Sequence, residues 1–312
     1  MEPLNILYSI ATMAIACFLG VFLASLILEF GFARVISRPL APLMRSANLP
    51  EIFSIPAIIS TIDVRGGLSI VGSLKEKNGI DDSTVIAYKL VTRPFSTVFF
   101  LFRYYLPVSL AALGFFVGSA YIALSFASAL ICMLIGIVYG RLRVKRAEIS
   151  LELPKNSKNR NDVLKSSFNS AIDMTKKVVL RYVVITVIIT LLLLAGFFDL
   201  VSERLDIYTK QFGFSSNFAA LISIHIFSPM SSVLTAGEFL RNGLISVREC
   251  LIALLVGRFL FIAIMDYPRH SLPFYASIFP IKLASKLVLA GIAVNAVATP
   301  ILILLVLLVF PF

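Results

Sequence analysis

The chain has 312 residues, of which 59% are hydrophobic and only 14% are charged, and its mean hydropathy is +0.94. An ordinary soluble domain carries about 25% charged residues, so a soluble fold of this length could not bury so much apolar surface. The composition excludes an ordinary soluble domain. It predicts an all-α polytopic membrane protein, because the apolar segments lack the short alternating pattern of a transmembrane β-barrel.

Several apolar segments are long enough to cross a bilayer as helices, since roughly 20 residues at about 1.5 Å each span its hydrocarbon core. The first has no basic residue before it and is followed by Arg34, Arg38 and Arg45. We therefore expect a retained first span, not a cleaved signal, with the N terminus outside. The predicted spans are Ile6–Leu28, Ser119–Tyr139, Val178–Phe198, Val247–Met265 and Ile281–Phe310.

The formal charge of +11 is concentrated in one hydrophilic stretch, because eleven of the 28 Lys and Arg residues lie between Arg141 and Arg181. The positive-inside rule predicts that residues 141–177 form a cytoplasmic loop. This loop divides the chain into a first membrane repeat, residues 1–140, and a second, residues 178–312. Anionic lipid binding at the loop is the alternative that stays open, and no nucleic-acid partner is expected.

Two other apolar segments are interrupted. Leu49–Asn78 contains Pro50, Pro56, Asp63 and a Gly66-Gly67 pair, and Phe214–Leu240 is broken around Ser228-Pro229. The first is predicted to be a broken helix or a helical hairpin that only partly enters the membrane, since irregular backbone at membrane depth survives only inside protein or beside water. The second is predicted to be another interrupted segment.

The segments that follow the two breaks occur in the same order in both halves of the chain. A helix is predicted from about Asp81 that carries Lys89, Arg93 and Pro94, and the second half continues into the span at Val247–Met265. A Pro-rich break is predicted at Tyr267–Pro280, before the C-terminal span.

Short matches between the halves predict an internal repeat. Asn78-Gly79-Ile80 matches Asn242-Gly243-Leu244, and Arg93 matches Arg258 at nearly the same offset. The first half begins outside and ends at the cytoplasmic loop, so the two repeats would have inverted topologies. Secondary transporters commonly have this architecture, with the substrate site near the midplane where broken helices meet.

Polar residues within apolar segments are the candidate substrate ligands, because an ionisable group in a bilayer costs about 2.5 kcal/mol or more. Each also has a structural interpretation that stays open: a turn-stabilising Asp–Arg pair, a capped kink, a satisfied core histidine, a snorkelling arginine or a helix–helix hydrogen bond. The candidates are Ser60, Thr61, Asp63, Arg65, Arg93, His225, Ser228, Ser231, Ser232, Arg258 and Asn295.

The second break indicates the charge of the solute. A helix that begins after Ser228 would have that serine as its N-cap and Pro229 at its first position. Helix N termini favour anions, and Arg93 and Arg258 would attract the same charge, so an anionic or zwitterionic solute is expected. Asp63 or His225 could couple a proton to its movement.

No enzymatic motif is present: the sequence lacks a phosphate-binding Gly-x-x-x-x-Gly-Lys-Ser/Thr loop, a His-Glu-x-x-His pair and a Gly-x-Ser-x-Gly elbow. We expect no enzyme activity, cofactor or metal. Cys17, Cys132 and Cys250 all lie in apolar runs without a Cys-x-x-Cys spacing, which is typical of small buried side chains.

The segments Ser60–Gly67 with Asn78-Gly79, and His225–Ser232 with Asn242-Gly243, resemble the gate or nucleoside-recognition domain membrane proteins. That family is similar to the membrane part of the ferrous-iron transporter FeoB and to the spore-maturation membrane proteins. The resemblance covers most of the chain and implies the movement of ions or small solutes.

The sequence therefore predicts a secondary transporter or permease-like protein of the cell membrane. Two alternatives stay open: a membrane-embedded enzyme or lipid-handling protein, and a non-transporting subunit of a membrane complex. The expected partners are a small-molecule substrate and membrane lipids, and a homo-oligomer is left open.

Overall fold

The computed structural model describes residues 39–101, 108–145 and 216–310, with scattered residues between 14 and 22 and between 164 and 180. Every regular element in these stretches is helical, which confirms the all-α prediction for the part of the chain described. The predicted spans Ile6–Leu28 and Val178–Phe198 and the basic loop lie largely outside the described residues.

The first interrupted segment is a helical hairpin, as predicted. After the short helix α1 (Ala41–Ser46) and a 3-10 turn at Glu51–Phe53, helix α2 (Ser54–Ile62) and helix α3 (Val64–Asn78) are joined by the single residue Asp63. We name α2 and α3 hairpin 1. Gly79 ends α3 in the left-handed conformation, with φ of 62°, which glycine adopts without steric cost.

The helix predicted from Asp81 is divided in two. Helix α4 (Asp82–Val91) ends at Thr92, and α5 (Arg93–Phe100) begins immediately after it. Pro94 has no N–H to donate, so it fits the first turn of a new helix and interrupts the interior of a continuous one. The sequence prediction missed this division.

Helix α6 (Leu110–Arg143) contains the predicted span Ser119–Tyr139. The helix is kinked at Gly114, where φ is 77° and ψ is 172°. Such a backbone conformation is favourable only for glycine, which explains why the kink falls at this residue.

The second segment is interrupted at Ser228, as predicted, and also forms a hairpin. Helix α7 (Ser216–Phe227) and helix α8 (Pro229–Arg241) are joined by Ser228, and we name them hairpin 2. Gly243 follows with a φ of 66°, and α9 (Val247–Leu260) then begins at a capping box formed by Ser246 and Glu249.

The prediction of a break across Tyr267–Pro280 is wrong for most of that range. The chain continues from α9 through a π-helical segment, Phe261–Ser271, into α10 (Leu272–Ile278), and it breaks only at Phe279-Pro280. The wider turn of a π-helix accommodates Pro268, which has no N–H to donate. The last helix, α11 (Ile281–Val309), coincides with the predicted C-terminal span.

Three helical stretches among the described residues are long and apolar enough to cross a membrane. They are Leu110–Arg143, Val247–Ile278 and Ile281–Val309. The residues of α2 and α7 form shorter apolar helices. The described part of the chain is thus all-α, with helices of the length and composition found in membrane proteins.

The chain forms two compact units, each assembled from several stretches. The first unit contains residues 1–99, 132–185 and 274–287, and the second contains residues 100–131, 186–273 and 288–312. Hairpin 1 lies in the first unit and hairpin 2 in the second. The predicted division into residues 1–140, 141–177 and 178–312 follows chain order and stays a prediction.

Close helix contacts stabilise each unit. In the first, a Cβ on Gly136 would lie 2.7 Å from Leu90, so only glycine lets α6 approach α4 this closely. In the second, Gly237 of α8 would bring a Cβ within 2.1 Å of the Ala112 carbonyl oxygen, and Arg241 donates to the same oxygen at 3.2 Å. In a membrane the hydrophobic effect does not drive helices together, so close packing at small residues contributes much of the helix–helix association.

Candidate functional site

Asp63 caps the second helix of hairpin 1. It has an extended backbone, with φ of −150° and ψ of 112°, and its carboxylate accepts hydrogen bonds from the N–H groups of Arg65 at 3.1 Å and Gly66 at 3.2 Å. This places a negative charge at the positive end of a helix. Asp63 therefore stabilises the turn, which is the structural interpretation that the sequence left open, and it does so by accepting from backbone N–H groups.

The polar groups before Asp63 are bonded within their own helix. Ser60 is 3% exposed, and its hydroxyl donates to the Pro56 carbonyl at 2.8 Å, while Thr61 donates to Ile58 at 2.7 Å. A Cβ at Gly67 would lie 2.1 Å from the Ser60 hydroxyl. The two helices of hairpin 1 are thus in close contact where Ser60 faces Gly67.

Two arginines and a buried tyrosine complete the polar groups around hairpin 1 in the first unit. Arg65 lies in the first turn of α3 and Arg93 begins α5, and both are partly buried. Tyr88 of α4 is 1% exposed and packs on Phe53 with ring centroids 5.2 Å apart. Its hydroxyl lies near those of Ser60 and Thr92 without a hydrogen bond of ordinary geometry.

Ser228 caps the second helix of hairpin 2, as the sequence predicts. Its backbone is extended, Pro229 occupies the first turn, and its hydroxyl accepts from the Ser231 N–H at 3.3 Å and contacts the Ser231 hydroxyl at 2.7 Å. Ser232 is fully buried and donates to the Leu221 carbonyl at 3.0 Å, which fastens α8 to α7. Ser231 is exposed, so this break presents a hydroxyl that the first break lacks.

His225 is the buried polar group of hairpin 2. It lies three residues before Ser228, as Ser60 lies three residues before Asp63, and it is 1% exposed. Neither ring nitrogen has a hydrogen-bond partner among the residues that the structure describes. The ring lies against Gly257 of α9, where a Cβ would come within 2.5 Å of the His225 Cβ.

Arg258 follows Gly257 on the same helix. Its Nη1 donates to the Ser125 hydroxyl of α6 at 2.9 Å, and Ser125 in turn donates to the Tyr121 carbonyl. Gly257, the residue before it, packs against the His225 side chain, so His225 and Arg258 are neighbours. His225, Arg258 and Ser125 therefore form one cluster, contributed by three helices of the second unit.

Asn295 lies within α11 and is buried. Its amide donates to the Gly291 carbonyl at 2.8 Å, one turn earlier in the same helix. The bond is neither to a neighbouring helix nor to another candidate residue.

The structure therefore groups the candidate residues by unit. Ser60, Thr61, Asp63, Arg65 and Arg93 belong to the first unit, and the other six to the second. The sequence analysis missed three neighbours of these groups, Tyr88, Ser125 and Gly257. The signal for Ser125 was a hydroxyl within a predicted span, whereas no local pattern distinguishes Gly257 from other glycines in apolar helices.

An ion-pair network lies beside hairpin 1. Asp82, at the start of α4 and outside the three candidate spans, accepts from Lys75 at 3.0 Å and from Lys286 at 3.2 Å. Partial burial raises the pKa of this carboxyl, but the two lysines outweigh that effect and hold it below its ordinary value of 3.8. The network ties α3, α4 and α11 together within the first unit.

The chain is similar over most of its length to proteins of Methanocaldococcus jannaschii. It is 27% identical over 276 residues to Uncharacterized protein MJ0871, which covers 88% of this chain and 86% of the relative. It is 25% identical over 297 residues to Uncharacterized protein MJ0880, covering 94% and 95% of the two chains. A third relative, Uncharacterized protein MJ1556, is 24% identical over 295 residues, covering 92% and 91%. No family model matches the chain, and no solved structure matches it.

Proposed function

We propose that the protein is a multi-pass secondary transporter or permease-like protein of the cell membrane, for a small anionic or zwitterionic solute. The observation that carries the proposal is the recurrence of one arrangement in both units: a helix, a single residue that caps the next helix, that helix, a left-handed glycine and a further helix. Interrupted helices in a membrane protein are costly unless the irregular backbone is buried inside protein or lines a cavity, and in transporters such breaks commonly line the substrate site.

Residues 1–140 and 178–312 are proposed to be inverted repeats, with residues 141–177 in the cytoplasm and the N terminus outside. The capping residues Asp63 and Ser228 are equivalent in this scheme, as are Arg93 and Arg258 and the two left-handed glycines. Ser60 and His225 then take the same place, three residues before each break. An arrangement of this kind is what the resemblance to gate-domain proteins implies.

The local charges favour an anionic group. The break in hairpin 2 presents the N terminus of α8 with the exposed Ser231 hydroxyl, and Arg258 contributes a fixed positive charge in the same unit. The break in hairpin 1 has its helix N terminus already occupied by the Asp63 carboxylate. Hairpin 2 is therefore proposed to bind the solute, and Asp63 to couple a proton.

The test is a solute screen followed by a flux measurement. Purified protein in detergent is heated with nucleosides, amino acids, organic and inorganic anions, lipid phosphates and divalent metals, since a ligand of the folded state raises the apparent unfolding temperature. Solutes that stabilise the protein are then followed into liposomes containing it. Uptake above that of protein-free liposomes supports transport.

Variants connect the flux to the site. We expect Asp63→Ala, Ser228→Ala and Arg258→Ala each to reduce uptake, whereas Arg143→Ala, an exposed arginine at the end of α6, leaves it unchanged. Intact uptake in all three site variants would show that the site is assigned wrongly. A well-folded protein that moves no stabilising solute would count against transport.

A further inference from the structure

His225 has the least satisfied buried side chain among the candidate residues. A neutral imidazole carries one N–H donor and one acceptor nitrogen, and both are buried here without a partner among the described residues. A buried donor or acceptor that is left unpaired destabilises the folded protein. Ser60, in the corresponding place of hairpin 1, carries no such cost, because it donates to Pro56.

The neighbours of His225 determine which form of the ring fits. Both ring nitrogens are buried without a partner among the described residues, and an unpaired buried charge is costly. The neutral ring, with one donor and one acceptor, is the form compatible with this environment. Its contact with Gly257 holds the ring against the helix that carries Arg258.

Arg258 is only partly engaged. Its hydrogen bond within the described part of the chain is from Nη1 to Ser125, and a guanidinium has five N–H donors. Two or more donors are thus available for a ligand oxygen. A single arginine neutralises one charge, so the cluster suits a monoanionic carboxylate better than a phosphate dianion.

We infer that the cluster of His225, Arg258 and Ser125 binds a solute in which a carboxylate lies beside a hydrogen-bond donor, as in an amino acid or a hydroxy acid. The carboxylate binds the guanidinium, and the neighbouring N–H or O–H donates to the acceptor nitrogen of His225. A simple carboxylate would satisfy the arginine but leave that nitrogen unpaired. This inference rests on the proposed function and names the class of solute.

Three probes of similar size separate these possibilities: L-alanine, L-lactate and propionate, which differ in carrying an ammonium, a hydroxyl or neither beside the carboxylate. Binding is measured as the rise in unfolding temperature, followed through the reaction of a thiol-specific dye with Cys132 and Cys250, both buried in the folded protein. We expect alanine or lactate to bind roughly two- to tenfold more tightly than propionate, the equivalent of one net hydrogen bond.

Matched variants assign the difference to the cluster. His225→Gln keeps a donor and an acceptor and should retain the preference over propionate, while His225→Leu should erase it. Arg258→Met should abolish stabilisation by all three probes. Monodisperse elution and unchanged helical circular dichroism establish that each variant is folded.

Several results would overturn the inference: propionate binding as well as lactate and alanine, a preference that survives in His225→Leu, or no stabilisation of the folded protein by any of the three. The proposed function fails separately. If none of these probes binds but another solute is taken up by the liposomes, the inference is wrong and transport stands. If no solute is moved at all, transport is wrong.

Discussion

Replacing Gly257 with alanine tests the contact on which the candidate cluster depends. The added Cβ would lie 2.5 Å from the His225 Cβ and 2.9 Å from its Cγ. The Cβ of His225 is fixed to the backbone and no rotamer moves it away, so α7 and α9 must separate. We expect a cost near the upper end of the 1–3 kcal/mol typical of overpacking.

The same substitution has an opposing effect. Alanine is better than glycine in a helix by about 1 kcal/mol. The net destabilisation is therefore about 2 kcal/mol, which corresponds to a fall in the unfolding temperature of about 3 °C for a chain of this length. Thermal unfolding monitored through the buried cysteines measures it.

A second variant makes the interpretation specific. Adding His225→Gly to Gly257→Ala removes the clashing Cβ, so the double variant should be more stable than the sum of the two single effects by at least about 1 kcal/mol. A Gly257→Ala protein as stable as the original, or strictly additive single effects, would refute the packing of His225 against α9.

Three further predictions concern the hairpins and their surroundings. Asp63→Ala should destabilise by about 1 kcal/mol through loss of the helix cap, while Asp63→Asn keeps most of the stability, as thermal unfolding will show. Gly243→Ala should cost about 1–2 kcal/mol by the same measurement, because nothing lies within 4 Å of the added Cβ and only the left-handed backbone opposes it. Lys75 and Lys286 lower the pKa of Asp82, so the stability that these ion pairs give the folded protein is complete above the ordinary pKa of 3.8 and is lost as the pH falls below it. Unfolding measured against pH should show that this acid-dependent loss of stability is smaller in Asp82→Asn.

The breaks in both hairpins were predictable because they depend on local chemistry. Proline, paired glycines and a charged residue within an apolar run are unfavourable in a continuous membrane helix, and Ser228-Pro229 is a recognisable helix start. The three long apolar helices were predictable from length and composition alone.

The features missed depend on geometry or on distant contacts. Pro268 indicated a break, but the wider π-helical turn accommodated it, and hydropathy contains no signal for that turn. The contacts of His225 with Gly257 and of Arg258 with Ser125 join residues far apart in sequence, where no local periodicity can pair them. The sequence therefore supplied the candidate polar residues but contained no signal for which of them pack together.

The proposed inverted topology is tested most directly by determining on which side of the membrane each hairpin ends. Asn78 and Asn242 are exposed, and each directly precedes one of the left-handed glycines. In protein whose native cysteines are replaced by alanine, Asn78→Cys and Asn242→Cys are labelled with a membrane-impermeant maleimide in intact cells and in inverted membrane vesicles. Inverted repeats predict that one position reacts only in cells and the other only in inverted vesicles. Labelling of both positions from the same side would contradict the inverted topology.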